Sequence, residues 1–207
     1  FLLPVEGKRH FPVEGEFNPA IVRKGLGLDP VPARAPAEVP QRPPMLCAGC
    51  PHRGAFWVLS KMKSSTTGDI GCYTLGLMPP LNAMDTTVCM GASIGVLSGL
   101  EKAGGREAVS KLAAAIGDST FVHSGVTGLI DMVYNGCTGT VIVMDNSITA
   151  MTGGQQNPGT GRTLRGEPSA RLDIEAVCRA CGVSSDSGGG LASGVSSFFP
   201  TGARVFR

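Results

Sequence analysis

The chain has 207 residues, a formal net charge of +2 and 42% hydrophobic residues, the composition of a globular protein and not of a disordered tail or coiled coil. No apolar run approaches the roughly 18 residues that a membrane span requires, and no basic cluster offers a footprint for nucleic acid. Seven cysteines, an odd number behind no recognisable signal peptide, argue against a disulfide framework and for a reduced, cytoplasmic setting.

Residues 1–44 carry nine of the fifteen prolines, which predicts an extended Pro-rich arm or linker. A start at Phe1 and a linker of that length lead us to expect a segment of a longer protein with another domain upstream. Residues 45–185 carry the globular signal. Ala55, Val58, Leu59 and Met62 recur at helical spacing and predict a helix after Cys50. A second helix is expected from about Gly91 to Ala103. Leu112 to Ile116 reads as a buried strand ending in Gly117-Asp118. Val126, Leu129, Ile130 and Val133 give the next helical stripe, with Ser124 as its expected N-cap. Thr140 to Met144 is β-branched and apolar, a second buried strand. Ala150 to Gly166, rich in Gly, Thr and Gln, is expected to be a loop, and Ile174 to Cys181 a helix. Strands alternating with helices predict an α/β fold with a mainly parallel sheet flanked by helices. Residues 186–207 have no usable period, and we expect a flexible tail or sequence foreign to this fold.

The segment from Leu112 to Asn146 reads as one βαβ unit. Its helix runs back roughly 18 Å at 1.5 Å per residue, and its second strand returns roughly 20 Å at about 3.3 Å per residue. The match predicts Asp118 and Asn146 side by side at the carboxyl edge of adjacent parallel strands, where open α/β sheets bind ligands. With the carbonyl of Ile148 these are hard oxygen donors suited to Mg²⁺ shared with a phosphate group. Gly117 permits close backbone approach to a diphosphate, and a helix N-terminus faces the same anion. The plainer reading of each tripeptide, Gly117-Asp118-Ser119 and Asp145-Asn146-Ser147, is a turn or a cap.

These residues carry a resemblance. Gly117-Asp118-Ser119 followed by Asp145-Asn146-Ser147 resembles the thiamine diphosphate motif that opens with Gly-Asp-Gly and closes with Asn, with Ser119 replacing the usual second glycine. Thr149-Ala150-Met151-Thr152-Gly153-Gly154-Gln155 is similar to the loop that follows it in 2-oxoacid:ferredoxin oxidoreductases. Cys47-Ala48-Gly49-Cys50-Pro51-His52-Arg53, Asp69-Ile70-Gly71-Cys72-Tyr73-Thr74-Leu75-Gly76 and Met90-Gly91-Ala92-Ser93-Ile94-Gly95 narrow the resemblance to the indolepyruvate ferredoxin oxidoreductase alpha-subunit family, over roughly residues 45–183. The resemblance implies a thiamine diphosphate-binding fold. It also implies an oxidoreductase that decarboxylates an arylpyruvate or other 2-oxoacid, passes electrons through iron–sulfur clusters to ferredoxin and delivers the acyl group to coenzyme A. Thiamine diphosphate, Mg²⁺ and a [4Fe-4S] cluster in the intact protein are the implied cofactors. An upstream pyrimidine-binding domain and a smaller beta subunit are the implied partners, without which the chain is expected to be catalytically silent.

The cofactor-binding set implied by the resemblance is Cys47, Cys50, His52, Gly71, Cys72, Gly91, Ala92, Ser93, Gly95, Gly117, Asp118, Ser119, Thr120, Asn146, Ile148, Thr149, Ala150, Met151 and Thr152, with Asp118, Asn146 and Ile148 on Mg²⁺. Cys47, Cys50 and Cys72 are at a spacing open to an Fe–S cluster or to plain packing. His123, just after the Asp118 turn, is the candidate for proton handling or substrate contact, against a helix-start histidine bonded to backbone. Two alternatives stay open: a thiamine-dependent non-oxidative 2-oxoacid decarboxylase, and a non-catalytic zinc module built from Cys47, Cys50, His52 and Cys72.

Overall fold

A computed structural model describes residues 4, 6–30, 32, 37–183 and 203–206. The chain divides into two units, residues 1–42 and 43–207. The first is not wholly extended. It holds a 3₁₀ turn, Gly7–His10, and a short helix α1, Pro19–Gly25. Pro19 occupies a helix start, where its missing N–H costs nothing, and Asn18 Oδ1 accepts the Ile21 N–H at 3.0 Å. The proline count concealed this helix because a proline at a helix start looks the same as one in a linker.

The second unit is a five-stranded sheet in the order β2-β1-β3-β4-β5. Its strands are β1 (Ser65–Gly68), β2 (Thr86–Thr87), β3 (Leu112–Gly117), β4 (Thr140–Met144) and β5 (Ala203–Phe206). The first four run parallel, and β5 pairs antiparallel with β4. Most of the stretch 186–207 lies outside the described residues, but 203–206 form a sheet edge that the sequence reading did not anticipate. β3 and β4 stand as expected. β1 (Ser-Thr-Thr-Gly) was missed because it has no aliphatic residue, yet three of its four residues are buried.

The two central strands sort their side chains by parity, since successive residues of a strand point to opposite faces. Ala114, Ile116, Val141 and Val143 join one core with α3 (Ala92–Ala108), α5 (Val126–Tyr134) and α6 (Ile174–Ala180). Ala113, Ala115, Ile142 and Met144 join the other, with α2 (His52–Met62) and the 3₁₀ turn Cys72–Leu77. Both faces are covered, which is why these strands read as continuous apolar runs.

The predicted helices form, with shifted details. The buried face of α2 is His52, Ala55, Phe56 and Leu59, while Val58 and Met62 are exposed. The buried stripe keeps Ala55 and Leu59 but starts three residues earlier than expected, with His52 and Phe56 in place of Val58 and Met62. Ser124 is not an N-cap. The helix begins at the strand end as α4 (Asp118–Thr120), passes through a π turn, Phe121–Gly125, and continues as α5. Ser124 lies inside that π turn, its hydroxyl donating to the Thr120 carbonyl at 3.3 Å.

Candidate functional site

The register of the central strands builds the site. Gly117 pairs with Met144 at the last rung of the parallel β3–β4 ladder, so Asp118 and Asp145 follow it on neighbouring strands. Asp118 is 4% exposed and lines a pocket at this edge. Burial and the neighbouring Asp145 charge push its carboxyl above the usual carboxylate range, opposed in part by the Asn157 amide and the Ser119 N–H. Asp145 does not line the pocket. Its Oδ1 accepts the Ser147 N–H at 2.8 Å and the Ser147 hydroxyl at 3.0 Å, and Arg171 Nη2 stands 3.8 Å from its Oδ2.

Beyond β4 the chain turns tightly over the pocket. Asn146 Oδ1 accepts the Ile148 N–H at 3.2 Å. Thr149 donates its hydroxyl to Ser119 Oγ at 2.8 Å, tying the loop to the start of α4. Asn157 donates to both Asp118 Oδ2 and Thr149 Oγ1 at 3.3 Å.

The facing wall comes from α2 and the turn after β1. Tyr73 is buried, and its hydroxyl bonds the Ile70 carbonyl at 2.8 Å and Thr120 Oγ1 at 3.2 Å. A Cβ at Gly117 would lie 2.3 Å from the Tyr73 ring, and one at Gly71 would lie 2.4 Å from it. Both glycines are therefore demanded by this ring. His52 stands edge-on to Tyr73, with centroids 6.3 Å apart. It is 2% exposed, and its Nδ1 is buried without a hydrogen-bond partner. Burial lowers its pKa against the opposing pull of Asp145, so the ring is neutral near pH 7.

Most of the expected residues meet here. His52, Gly71, Cys72, Gly117, Asp118, Ser119, Thr120, Asn146, Ile148, Thr149, Ala150, Met151 and Thr152 all line the one pocket. Gly91, Ala92, Ser93 and Gly95 do not. The start of α3, expected to line the cofactor, is already taken by the buried Asp69 carboxylate. That carboxylate accepts the Gly91 N–H at 2.8 and 2.9 Å and the Ser93 N–H at 3.1 Å. Gly91 is needed there for its φ of +91° and for close approach, since a Cβ would sit 2.6 Å from Ser124 Oγ. His123 is also absent from the pocket wall and is exposed on the π turn. The extra residue in a π turn shifts the side chains around it, and an α-helical reading of the sequence does not anticipate that.

Sequence reasoning missed Ile70, Tyr73 and Met144 as pocket residues, along with Asn157 and Arg171 behind the wall. Ile70 and Tyr73 lay inside the motif Asp69 to Gly76 and were the legible ones. Asn157 and Arg171 reach the site across a loop whose path no periodicity reveals.

The residues present fit Mg²⁺ and a diphosphate. Asp118, Asn146 and Ile148 offer hard oxygen donors around one pocket. The orphaned imidazole nitrogen of His52 leaves a polar group for a ligand to satisfy. The cysteines do not fit a cluster. Cys47 is exposed and Cys50 half-buried, while Cys72 is on the pocket side, its thiol pushed up by burial and by the sulfurs of Cys50 and Cys47. Among the described residues no three His, Cys, Asp or Glu side chains gather closely enough to hold a metal ion. This also removes the zinc module of Cys47, Cys50, His52 and Cys72. Arg53 instead ties the Cys47 turn to α2, its Nε donating to the Cys47 carbonyl at 2.9 Å and its Nη2 to the Leu46 carbonyl.

Comparison with known proteins agrees with this geometry. Residues 69–192 match the family model of the thiamine pyrophosphate enzyme C-terminal TPP-binding domain. An indolepyruvate oxidoreductase subunit IorA from Archaeoglobus fulgidus is 40% identical over 202 residues, covering 88% of this chain and 32% of that protein. The IorA subunit of Pyrococcus horikoshii is 46% identical over 159 residues, covering 70% of this chain and 24% of that protein. The chain thus spans about a third or less of the length of these relatives. A solved 2-oxoglutarate:ferredoxin oxidoreductase from Magnetococcus marinus superposes with a TM-score of 0.52 at 21% identity. It covers 70% of this chain and 53% of that one, and it supports the fold.

Proposed function

We propose, from the premise that this chain belongs to the thiamine pyrophosphate enzyme C-terminal TPP-binding family, that it forms the diphosphate-binding half of the active site of a 2-oxoacid:ferredoxin oxidoreductase acting on arylpyruvates. The observation that carries the reading is the convergence of Asp118, Asn146 and Ile148 on one pocket at the β3–β4 carboxyl edge. Asp118, the Asn146 side chain and the Ile148 carbonyl hold Mg²⁺. The backbone of residues 117–119 and the hydroxyls of Ser119 and Thr149 orient the diphosphate. When bound, the thiamine cofactor supplies the carbanion chemistry that cleaves the bond between a 2-oxoacid's carbonyl carbon and its carboxylate.

The chain's own residues do the rest. His52, neutral and buried beside the pocket, offers its Nδ1 to the bound ligand. The Tyr73 ring closes the floor under Gly71 and Gly117. Ile70, Met90 and Met151 give the pocket an apolar rim that restricts water around reacting groups. Coenzyme A, ferredoxin, a pyrimidine-binding domain and a smaller subunit act with this chain in the assembled enzyme. Resemblance to the IorA subunits supports the arylpyruvate substrate, and the odd count of seven cysteines supports a reduced, cytoplasmic setting.

The test is reconstitution of the chain within its full-length subunit and with its companion subunit, followed by coenzyme A-dependent reduction of ferredoxin with indolepyruvate, phenylpyruvate and 2-oxoglutarate. We expect reduction with the aryl acids. Decarboxylation without ferredoxin reduction favours the non-oxidative decarboxylase.

A further inference from the structure

Ser147 has φ of +56°, a left-handed conformation that an L-residue adopts at some cost. The turn it makes carries Asn146 on one side and Ile148 on the other, and both line the pocket. Three contacts hold Ser147 from outside the pocket. Its N–H and hydroxyl donate to Asp145 Oδ1 at 2.8 and 3.0 Å, and Arg171 Nη2 donates to its Oγ at 2.7 Å. The same guanidinium nitrogen stands 3.8 Å from Asp145 Oδ2. Arg171 thus bridges the strand-end carboxylate and the strained residue, and reaches them from a position 24 residues downstream.

The arrangement also sets two carboxylates apart. Asp118 and Asp145 follow paired residues on adjacent strands. Asp118 lines the pocket, while Asp145 turns to Ser147 and Arg171. We propose that Arg171 is a positioning residue for the cation site. By clamping Asp145 and Ser147 it fixes the turn that presents Asn146 and Ile148. The proposal rests on the cofactor reading given above, and it adds a residue that touches neither metal nor cofactor. Outer partners of this kind typically alter metal affinity about 10–100-fold.

The test is Mn²⁺ binding, followed by the spin-resonance signal of free Mn²⁺ in the presence of thiamine diphosphate, for the wild-type chain, Arg171→Ala, Arg171→Lys, Ser147→Ala and the double variant Arg171→Ala with Ser147→Ala. Thermal unfolding is recorded for each. We expect Arg171→Ala to weaken Mn²⁺ about 10-fold or more with little change in Tm, because Arg171 is exposed. Arg171→Lys should recover much of that loss, and the two alanine changes should be non-additive, since they remove one shared contact. Wild-type affinity in Arg171→Ala, or strictly additive losses, overturns the proposal while leaving the cofactor site intact. A folded wild-type chain that fails to bind Mn²⁺ with thiamine diphosphate overturns the cofactor reading, and the proposal with it.

Discussion

Asp118 and Asp145 follow Gly117 and Met144, which pair across the β3–β4 ladder, so two buried carboxylates end adjacent parallel strands at 4% and 9% exposure. Two like charges with little access to water repel one another, and a bound cation relieves that repulsion. Site function and cofactor-free stability therefore oppose each other at Asp118. Asp118→Asn is expected to raise the stability of the cofactor-free chain by about 1 kcal/mol, the scale of a single charge effect, while removing Mg²⁺-dependent cofactor binding. Urea unfolding without metal, beside titration with it, checks both halves.

Asp69 is fully buried and caps α3 from outside the helix, accepting N–H groups of Ile70, Gly91 and Ser93. Each of those donors loses its partner in Asp69→Ala. At about 1–3 kcal/mol for a buried unsatisfied group, the variant is expected to lose about 3 kcal/mol or more by chemical denaturation. Asp69→Asn keeps one acceptor oxygen and should lose less.

Glu101 gives the chain a dependence on acid. Burial acts to raise its pKa, but the N–H and hydroxyl of Thr138, the Gly139 N–H and the Arg106 charge bring it below the usual glutamate value. A carboxylate with a depressed folded pKa stabilises the fold above its unfolded pKa, and that stability is lost as pH falls through the folded value. Glu101→Gln is therefore expected to cost about 1–3 kcal/mol at pH 7. The gap to wild type should close below about pH 4, near the unfolded pKa of glutamate. Unfolding free energies measured from pH 7 to pH 3 for both chains check this, and a gap independent of pH contradicts it.

Gly76 lets the 3₁₀ turn lie against Phe56, since a Cβ there would meet the Phe56 ring at 2.7–2.8 Å. Phe56 is fully buried and has no room to yield. Gly76→Ala is expected to cost about 1–3 kcal/mol through overpacking, readable as a lower Tm.

Much of this site was legible because it depends on length and register. A strand, a returning helix and a second strand of matched span put Asp118 beside the residues after β4 whatever the surrounding details. What stayed hidden depends on contacts that sequence spacing does not encode. β1 carries threonines where an aliphatic run was the signal for a strand. The start of α3 looked free to line the cofactor because the carboxylate that caps it, Asp69, lies 22 residues upstream of Gly91. His123 seemed to stand beside the cofactor until the π turn carried it to the surface. Arg171 gave no signal, being one of three arginines, with Arg162 and Arg165, in a polar loop.

The most direct measurement is a calorimetric titration of the folded chain with thiamine diphosphate, in Mg²⁺ and then in EDTA, beside Asp118→Ala. The account predicts binding that requires Mg²⁺ and disappears in the variant while the fold persists. Binding that survives EDTA, or survives in Asp118→Ala, contradicts the assignment of Asp118 to the metal.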